Sequence, residues 1–233
     1  MRLTAVQLPA KFGAMADQLR ATEAILEGGP KTDLILFNEA AFTGYVSIKG
    51  DFSLTHLAEP LIGGKAHEAL THFARRFDAL VVGPVIEQAD GRCFNSLLAV
   101  KPDGGTLFHY RKRHPWMPET WATAGDTPFP LVEWRGKKLT AAICFDVHFL
   151  AETAERELTA ADVLLFSSAW VDDDSGDSRP GHFASLRLPV LNANWGVGRP
   201  KLPGQGGSMF VSRSGEIVKR LEGAAARLDV ELA

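Results

Sequence analysis

The sequence predicts an α/β fold with mixed sheet content, neither purely helical nor purely antiparallel. Three observations lead there. Amphipathic helical stretches run directly into short, continuous apolar strands. This grammar occurs three times. Between those units lie hairpins with turn chemistry at their tips. Continuous apolar strands preceded by helices are the mark of strands covered on both faces.

The first unit is "ADQLRATEAILEGGPKTDLILFNEA" (16–40). Met15, Leu19, Thr22 and Leu26 recur at helical spacing, Gly28-Gly29-Pro30 stop the helix, and Asp33 opens the strand "LILF". The second is "HEALTHFARRFDALVVGPVIE" (67–87), with Ala66, Leu70, Phe73 and Phe77 on one face ahead of "LVVGPVI". A hairpin follows in "NSLLAVKPDGGTLFHYRK" (95–112), closed by Pro-Asp-Gly-Gly, and another in "PLVEWRGKKLTAAICF" (130–145), closed by Arg135-Gly136. The third unit, "FLAETAERELTAADVLLFSSAW" (149–170), predicts one helix with Leu150, Ala154 and Leu158 on its face, then the strand "VLLF". The segments 171–181 and 198–207 are polar and rich in Gly, Pro or Ser, so they read as surface loops. A last hairpin, "GSMFVSRSGEIVKRL" (207–221), turns at Ser214-Gly215. The repeated "D-x-L-x-F" after a helix hints at internal pseudo-symmetry. No stretch looks like a domain linker, so residues 1–233 are expected to form a single domain.

Composition narrows the function classes. A net charge of −3 argues against a nucleic-acid binder, and the basic stretch "YRKRH" (110–114) is too short to reverse that. The longest apolar run, "ALVVGPVI" (79–86), is far below the roughly 20 residues of a membrane span. Gln7 and Pro9 interrupt the N-terminal segment too early for a secretory core. The two cysteines, Cys93 and Cys144, give no sign of an oxidising compartment. A cytoplasmic protein with reduced thiols and no membrane or nucleic-acid partner is expected.

Chemistry gathers where strands end. "LILF" runs into Asn38-Glu39, "LFHY" into Arg111-Lys112-Arg113, and "AAIC" into Cys144 itself. In layered α/β domains loops converge at such ends. Glu, Lys and Cys make a usable set. A carboxylate takes the thiol proton, the thiolate attacks a carbonyl, and an ammonium with a backbone N–H holds the oxyanion. Taken singly, each residue has another reading: Cys144 as a small buried hydrophobe, Glu39 as a loop acid, Lys112 as part of a solvated basic turn. Their ordered placement raises the functional reading. His109 and His114, five positions apart on and after a strand, fall on opposite faces and do not make a metal pair. "GQGGS" (204–208) lacks the strand-to-helix context of a phosphate loop. Cys93 precedes the Asn-Ser strand as a packed or idle thiol, and Trp170 is placed to wall a pocket.

These residues resemble the nitrilase-type carbon–nitrogen hydrolase superfamily. The likeness is carried by "AVQLP" (5–9), "DLILFNEAAFTGY" (33–45), "FNSLLAVKPDGGTLFHYRKRH" (94–114), "AAICFDVHF" and "NANWGVG…GGSMFVSRSGEIV" (192–218), in order along nearly the whole chain. The resemblance implies a four-layer α-β-β-α sandwich of two mixed sheets. It implies a catalytic set of Glu39, Lys112 and Cys144, with Glu119 as a second glutamate, no cofactor and no metal. The substrate would be a small amide or N-carbamoyl compound. The assembly would be a homodimer or higher homo-oligomer. Phe145 would lend its backbone N–H to the substrate oxyanion, and Trp170 and His148 would border the substrate. Phe145-Asp146 after the cysteine is similar to the amidase and carbamoylase side of the superfamily. The chain departs from the pattern at Asn38, where proline is usual, at Phe145 for tyrosine, and at His148 for arginine. The helix near 182–191 is also cut short by Pro189. Two other functions fit the same residues: a Cys-His hydrolase with His148 or His114 as base, and a non-catalytic binding or scaffold member of the fold.

Overall fold

The computed structural model of the chain describes residues 1–9, 11–46, 50–171, 176–197 and 206–233. Two six-stranded mixed sheets pack face to face, with helices on their outer faces, as expected for the α-β-β-α sandwich. The first sheet holds β1 (Arg2–Gln7), β2 (Leu34–Phe37), β3 (Leu80–Ala89), β4 (Arg92–Val100), β5 (Thr106–Arg111) and β12 (Ala226–Glu231), in the order β12-β1-β2-β3-β4-β5. The second holds β6 (Val132–Trp134), β7 (Lys137–Ile143), β8 (Val163–Ser168), β9 (Val190–Asn194), β10 (Met209–Val211) and β11 (Ile217–Arg220), in the order β11-β10-β9-β8-β7-β6.

The period-2 alternation of the strands builds the layers. Leu3, Ala5, Leu34, Leu36, Leu80 and Val82 face the other sheet, while Val6, Ile35, Phe37, Val81 and Val85 face the helices α1 (Met15–Glu27) and α2 (Lys65–Phe77). Both faces are apolar, which is why the strands read as continuous runs. In α1 the buried line is Gln18, Thr22 and Leu26, with Met15 and Leu19 packed beside it. On the second sheet Phe166 meets Phe183 of α5 (Arg179–Ser185), ring centroids 5.0 Å apart.

The two sheets repeat one topology. β12 is antiparallel to β1, β1–β2–β3 are parallel, and β4 and β5 follow antiparallel. Likewise β6 is antiparallel to β7, β7–β8–β9 are parallel, and β10 and β11 follow antiparallel. The hint of pseudo-symmetry is therefore real at the level of strand order. In this correspondence β2 matches β8, and the two lie against each other across the interface. Ser167 Oγ donates to Phe37 O at 2.9 Å and Glu39 N donates to Ser168 O at 3.3 Å.

Several expectations need correcting. The one helix expected ahead of "VLLF" in the unit 149–170 is two short ones, α3 (Leu150–Thr153) and α4 (Glu155–Ala160), broken where Ala154 leaves helical geometry at φ −132°. Leu150 and Ala154 are nonetheless both buried, as the predicted face requires. Ser167 and Ser168 lie inside β8, and Cys93 lies inside β4 rather than ahead of it. The loop expected over 171–181 includes Arg179, which starts α5 and is wholly buried. Its guanidinium pairs with Asp177 at 2.8 Å and donates to Asn192 Oδ1 at 3.0 Å. Residues 172–175 of that segment lie outside the described residues, as do 198–205 of the second loop and of the glycine-rich stretch. β12, pairing with β1 at the sheet edge, was not anticipated. Among the described residues no helix is long and apolar enough to cross a membrane.

Candidate active site

Glu39 is the second residue after β2 and is buried. Asn38 fixes its backbone: the side chain accepts from Leu8 N at 3.2 Å and donates to Glu39 O at 3.0 Å, tying the ends of β1 and β2 together. An asparagine thus does by hydrogen bonding what a proline does by restricting its ring torsion. The chain then turns through Ala40, at φ 51°, toward Gly44, at φ 75°. A Cβ on Gly44 would stand 2.6 Å from Lys11 O, so the close pass of this loop over 11–12 requires glycine.

Lys112 follows β5, its backbone still in register through Lys112 N to Asn95 O at 2.8 Å. Its side chain is fully buried. Nζ donates to Glu39 Oε1 at 2.8 Å and to Glu119 Oε2 at 2.5 Å. Asn95, pointing inward from β4, donates Nδ2 to both glutamates, each at 2.7 Å. Trp116 N donates to Glu119 Oε2 at 2.7 Å, and Ala169 N donates to Glu39 Oε2 at 2.9 Å. Gly125 packs on this segment so closely that a Cβ would lie 2.3 Å from Arg111 O.

Cys144 ends the run of β7 and opens a 3-10 turn, Cys144–His148, at φ 45°. A left-handed cysteine is uncommon and marks a site held by its surroundings. Asp146 supplies the hold. Wholly buried, it accepts from Ile143 N at 3.0 Å, His114 N at 3.0 Å and Tyr110 Oη at 2.7 Å, and His114 Nδ1 lies 3.0 Å from Oδ1. The first N–H groups of such a turn, Phe145 among them, have no partner within the turn.

The electrostatics follow from burial. Desolvation raises the Cys144 thiol well above its usual range and the Glu39 charge raises it further, while Lys112 and the Ala169 N–H oppose them. The resting sulfur is therefore a thiol. Desolvation likewise raises the Glu39 carboxyl. Lys112 pulls it back and Glu119 pushes it up, leaving it above its ordinary 4.5. Burial would lower Lys112, but Glu39, Glu119 and Cys144 hold it above its normal value, so it stays an ammonium.

Cys144 opens onto a cavity of about 190 Å³. Phe145, His148 and Trp170 line it together with Tyr45, Trp116 and Ala169. The structure thus brings together all seven sequence-nominated residues: Glu39, Lys112 and Glu119 as one bonded group, and Phe145, His148 and Trp170 around the thiol. Behind them His182 lies with its ring centroid 4.6 Å from that of His148. His109 is bound instead to Glu87, whose carboxyl burial would raise but which His109, Arg111 and Ser96 bring down to about 2. His114 stacks on Phe149 at 4.1 Å and serves Asp146. Among the described residues no hydrogen bond joins either His114 or His148 to Cys144. Sequence reasoning missed Asn95, Asp146, Tyr45 and Trp116. A buried asparagine inside an apolar strand was the available signal for Asn95.

The two-sheet α/β sandwich thus sets a buried carboxylate–ammonium–carboxylate group beside a strand-end thiol. The chain belongs to the carbon–nitrogen hydrolase family, whose sequence pattern matches residues 2–227. It is 30% identical to an (R)-stereoselective amidase of a Pseudomonas species, over 94% of this chain and 80% of that protein. It is 27% identical to the omega-amidase YafV of Yersinia enterocolitica, over 100% of this chain and 90% of that one. In fold it is similar to a variant of the Nesterenkonia AN1 amidase from the nitrilase superfamily, with a TM-score of 0.84 and 20% identity, covering 100% of this chain and 92% of that one.

Proposed function

We propose that this protein hydrolyses the C–N bond of a small amide through a thioester on Cys144. Glu39 is the acid–base, and Lys112 and the Phe145 N–H bind the oxyanion. The observation that carries it is the placement of Lys112 Nζ between Glu39 and Glu119, all three buried beside Cys144. The amidase names of two relatives support the substrate class.

Each step follows from a group's state. Glu39, ionised, accepts the Sγ proton as sulfur attacks the carbonyl carbon, since a thiol this buried does not ionise alone. The oxyanion forms between Lys112 and the N–H of Phe145, and losing one such donor costs about 3–4 kcal/mol of barrier. Glu39 returns its proton to the nitrogen, and ammonia or an amine leaves. The same carboxylate then activates water against the thioester, and the collapsing intermediate releases the acid and restores the thiol. Glu119 touches neither reacting atom. It holds Lys112 and raises Glu39, which makes it a positioning residue.

The test combines chemistry with pH. Cys144→Ala and Glu39→Gln are each expected to abolish ammonia release while the circular dichroism spectrum is kept, and quenched wild type should carry an acyl mass on Cys144. Near-normal turnover in either variant, or no adduct with a slow amide, removes the assignment. The acid limb of kcat/KM should lie above the ordinary 4.5 of a glutamate, because only ionised Glu39 is a base. In Glu119→Gln the like charge is gone, so the limb should move to lower pH. An unmoved or raised limb counts against Glu39 as the base.

A further inference from the structure

We propose that the cavity beside Cys144 is built for amides whose acyl group is uncharged and apolar, and that it disfavours amides whose acyl chain ends in a carboxylate. This rests on the amide-hydrolase reading above and names the class of substrate within it.

The walls are the first argument. The Phe145 and His148 rings lie 4.8 Å apart at the mouth, and His148 stacks on Trp170 at 5.6 Å, with interplanar angle 30°. Trp116 and Tyr45 form a further stacked pair, centroids 6.4 Å apart. None of the described lining residues bears an ammonium or guanidinium. His148 has an imidazole that partial burial and then the neighbouring His182 push below its usual range, so it is neutral at pH 7.

The charges behind the cavity are the second argument. With both carboxylates ionised, Glu39, Glu119 and Lys112 sum to one net negative charge. The ammonium is already engaged by both acids, at 2.8 and 2.5 Å. A carboxylate entering the cavity would lose its hydration, meet no free cation among the described lining residues and feel a like charge. An apolar chain loses nothing by the same move and gains contact with four aromatic faces. Size is the third argument. About 190 Å³ is below the roughly 300–1,000 Å³ of pockets for drug-sized ligands, which limits the acyl group to a compact one.

Three amides of equal non-hydrogen atom count separate the possibilities: 5-methylhexanamide, the monoamide of glutarate, and 6-aminohexanamide. Wild-type kcat/KM for the neutral amide is expected to exceed that for the glutarate monoamide by at least about 100-fold, because an ionised carboxylate desolvated without a partner costs more than a neutral polar group does. Calorimetry on Cys144→Ala, which binds without turnover, should show the same order. A preference for either charged amide, equal binding of all three, or binding of none overturns the proposal. Binding of 5-methylhexanamide in that order with no hydrolysis by wild type upholds the cavity chemistry and removes the hydrolytic reading instead.

Discussion

Replacing Lys112 by methionine is expected to abolish ammonia release and to destabilise the fold by about 3–5 kcal/mol, the cost of breaking a buried ion pair from one side. Lys112 Nζ is the only cationic atom bonded to Glu39 or Glu119 among the described residues, and none of the three side chains reaches solvent. Without it two carboxylates face one another, joined only by the Asn95 amide, which donates to one oxygen of each. One of them must then take up a proton, so the folded variant binds a proton that its unfolded chain, near the ordinary 4.5, gives up. A group whose folded pKa is raised contributes stability that is full below the unfolded pKa and is lost as pH rises through the folded one. Lys112→Met should therefore be least destabilised near pH 4.5 and most at pH 8, as read from urea unfolding. Adding Glu119→Gln removes the second acid and should recover much of the stability but none of the turnover. If the double variant is no more stable than the single one at pH 8, the carboxylate repulsion is not what the lysine neutralises.

The same group shows what the sequence makes legible. Glu39, Lys112 and Cys144 stand next to apolar runs, and a strand buried on both faces delivers whatever follows it to the sheet edge where loops meet. Periodicity locates such ends without any knowledge of the partner strand. It does not say which ends meet. β2 lies against β8 because the two halves repeat one topology, and that pairing puts Ala169 N on Glu39. Nothing local to Ala169 signals this. Asn95 and Asp146 were hidden for the same reason: their partners are 24 or more residues away along the chain, except for the Ile143 N–H. β12 escaped because it is a half-exposed strand beside β1, with Arg227, Asp229 and Glu231 interrupting its apolar pattern. The break between α3 and α4 is invisible in the sequence because the apolar face Leu150, Ala154 and Leu158 continues smoothly across Ala154, where the backbone leaves helical geometry.

Asp146→Ala is expected to be the most damaging change outside the bonded Glu–Lys–Glu group, with about 3–5 kcal/mol of stability lost and turnover down by about 100-fold or more. Asp146 is wholly buried and accepts from a strand-end N–H, a phenol and a loop N–H, with the His114 ring nitrogen also against it. Alanine would leave those donors in an apolar interior with no acceptor, and each unpaired donor is costly. The functional consequence is geometric. Through Ile143 N the carboxylate clamps the residue before Cys144, and through Tyr110 and His114 it anchors that clamp to the segment carrying Lys112. The positive φ of Cys144 persists only while these contacts over-determine it. Once they go, the thiol relaxes toward an ordinary backbone conformation, and a displacement of about 1 Å at a reacting atom costs on the order of 100-fold. Tyr110→Phe is the control: it removes one donor and leaves the acceptor served by the others, so it should cost about 1 kcal/mol with a small loss of turnover. Urea unfolding and single-turnover acylation of the two variants decide the matter. Equal losses in both would mean that Asp146 acts through the phenol alone. A large loss of stability with the acylation rate intact would show that the turn holds the sulfur in place without the carboxylate.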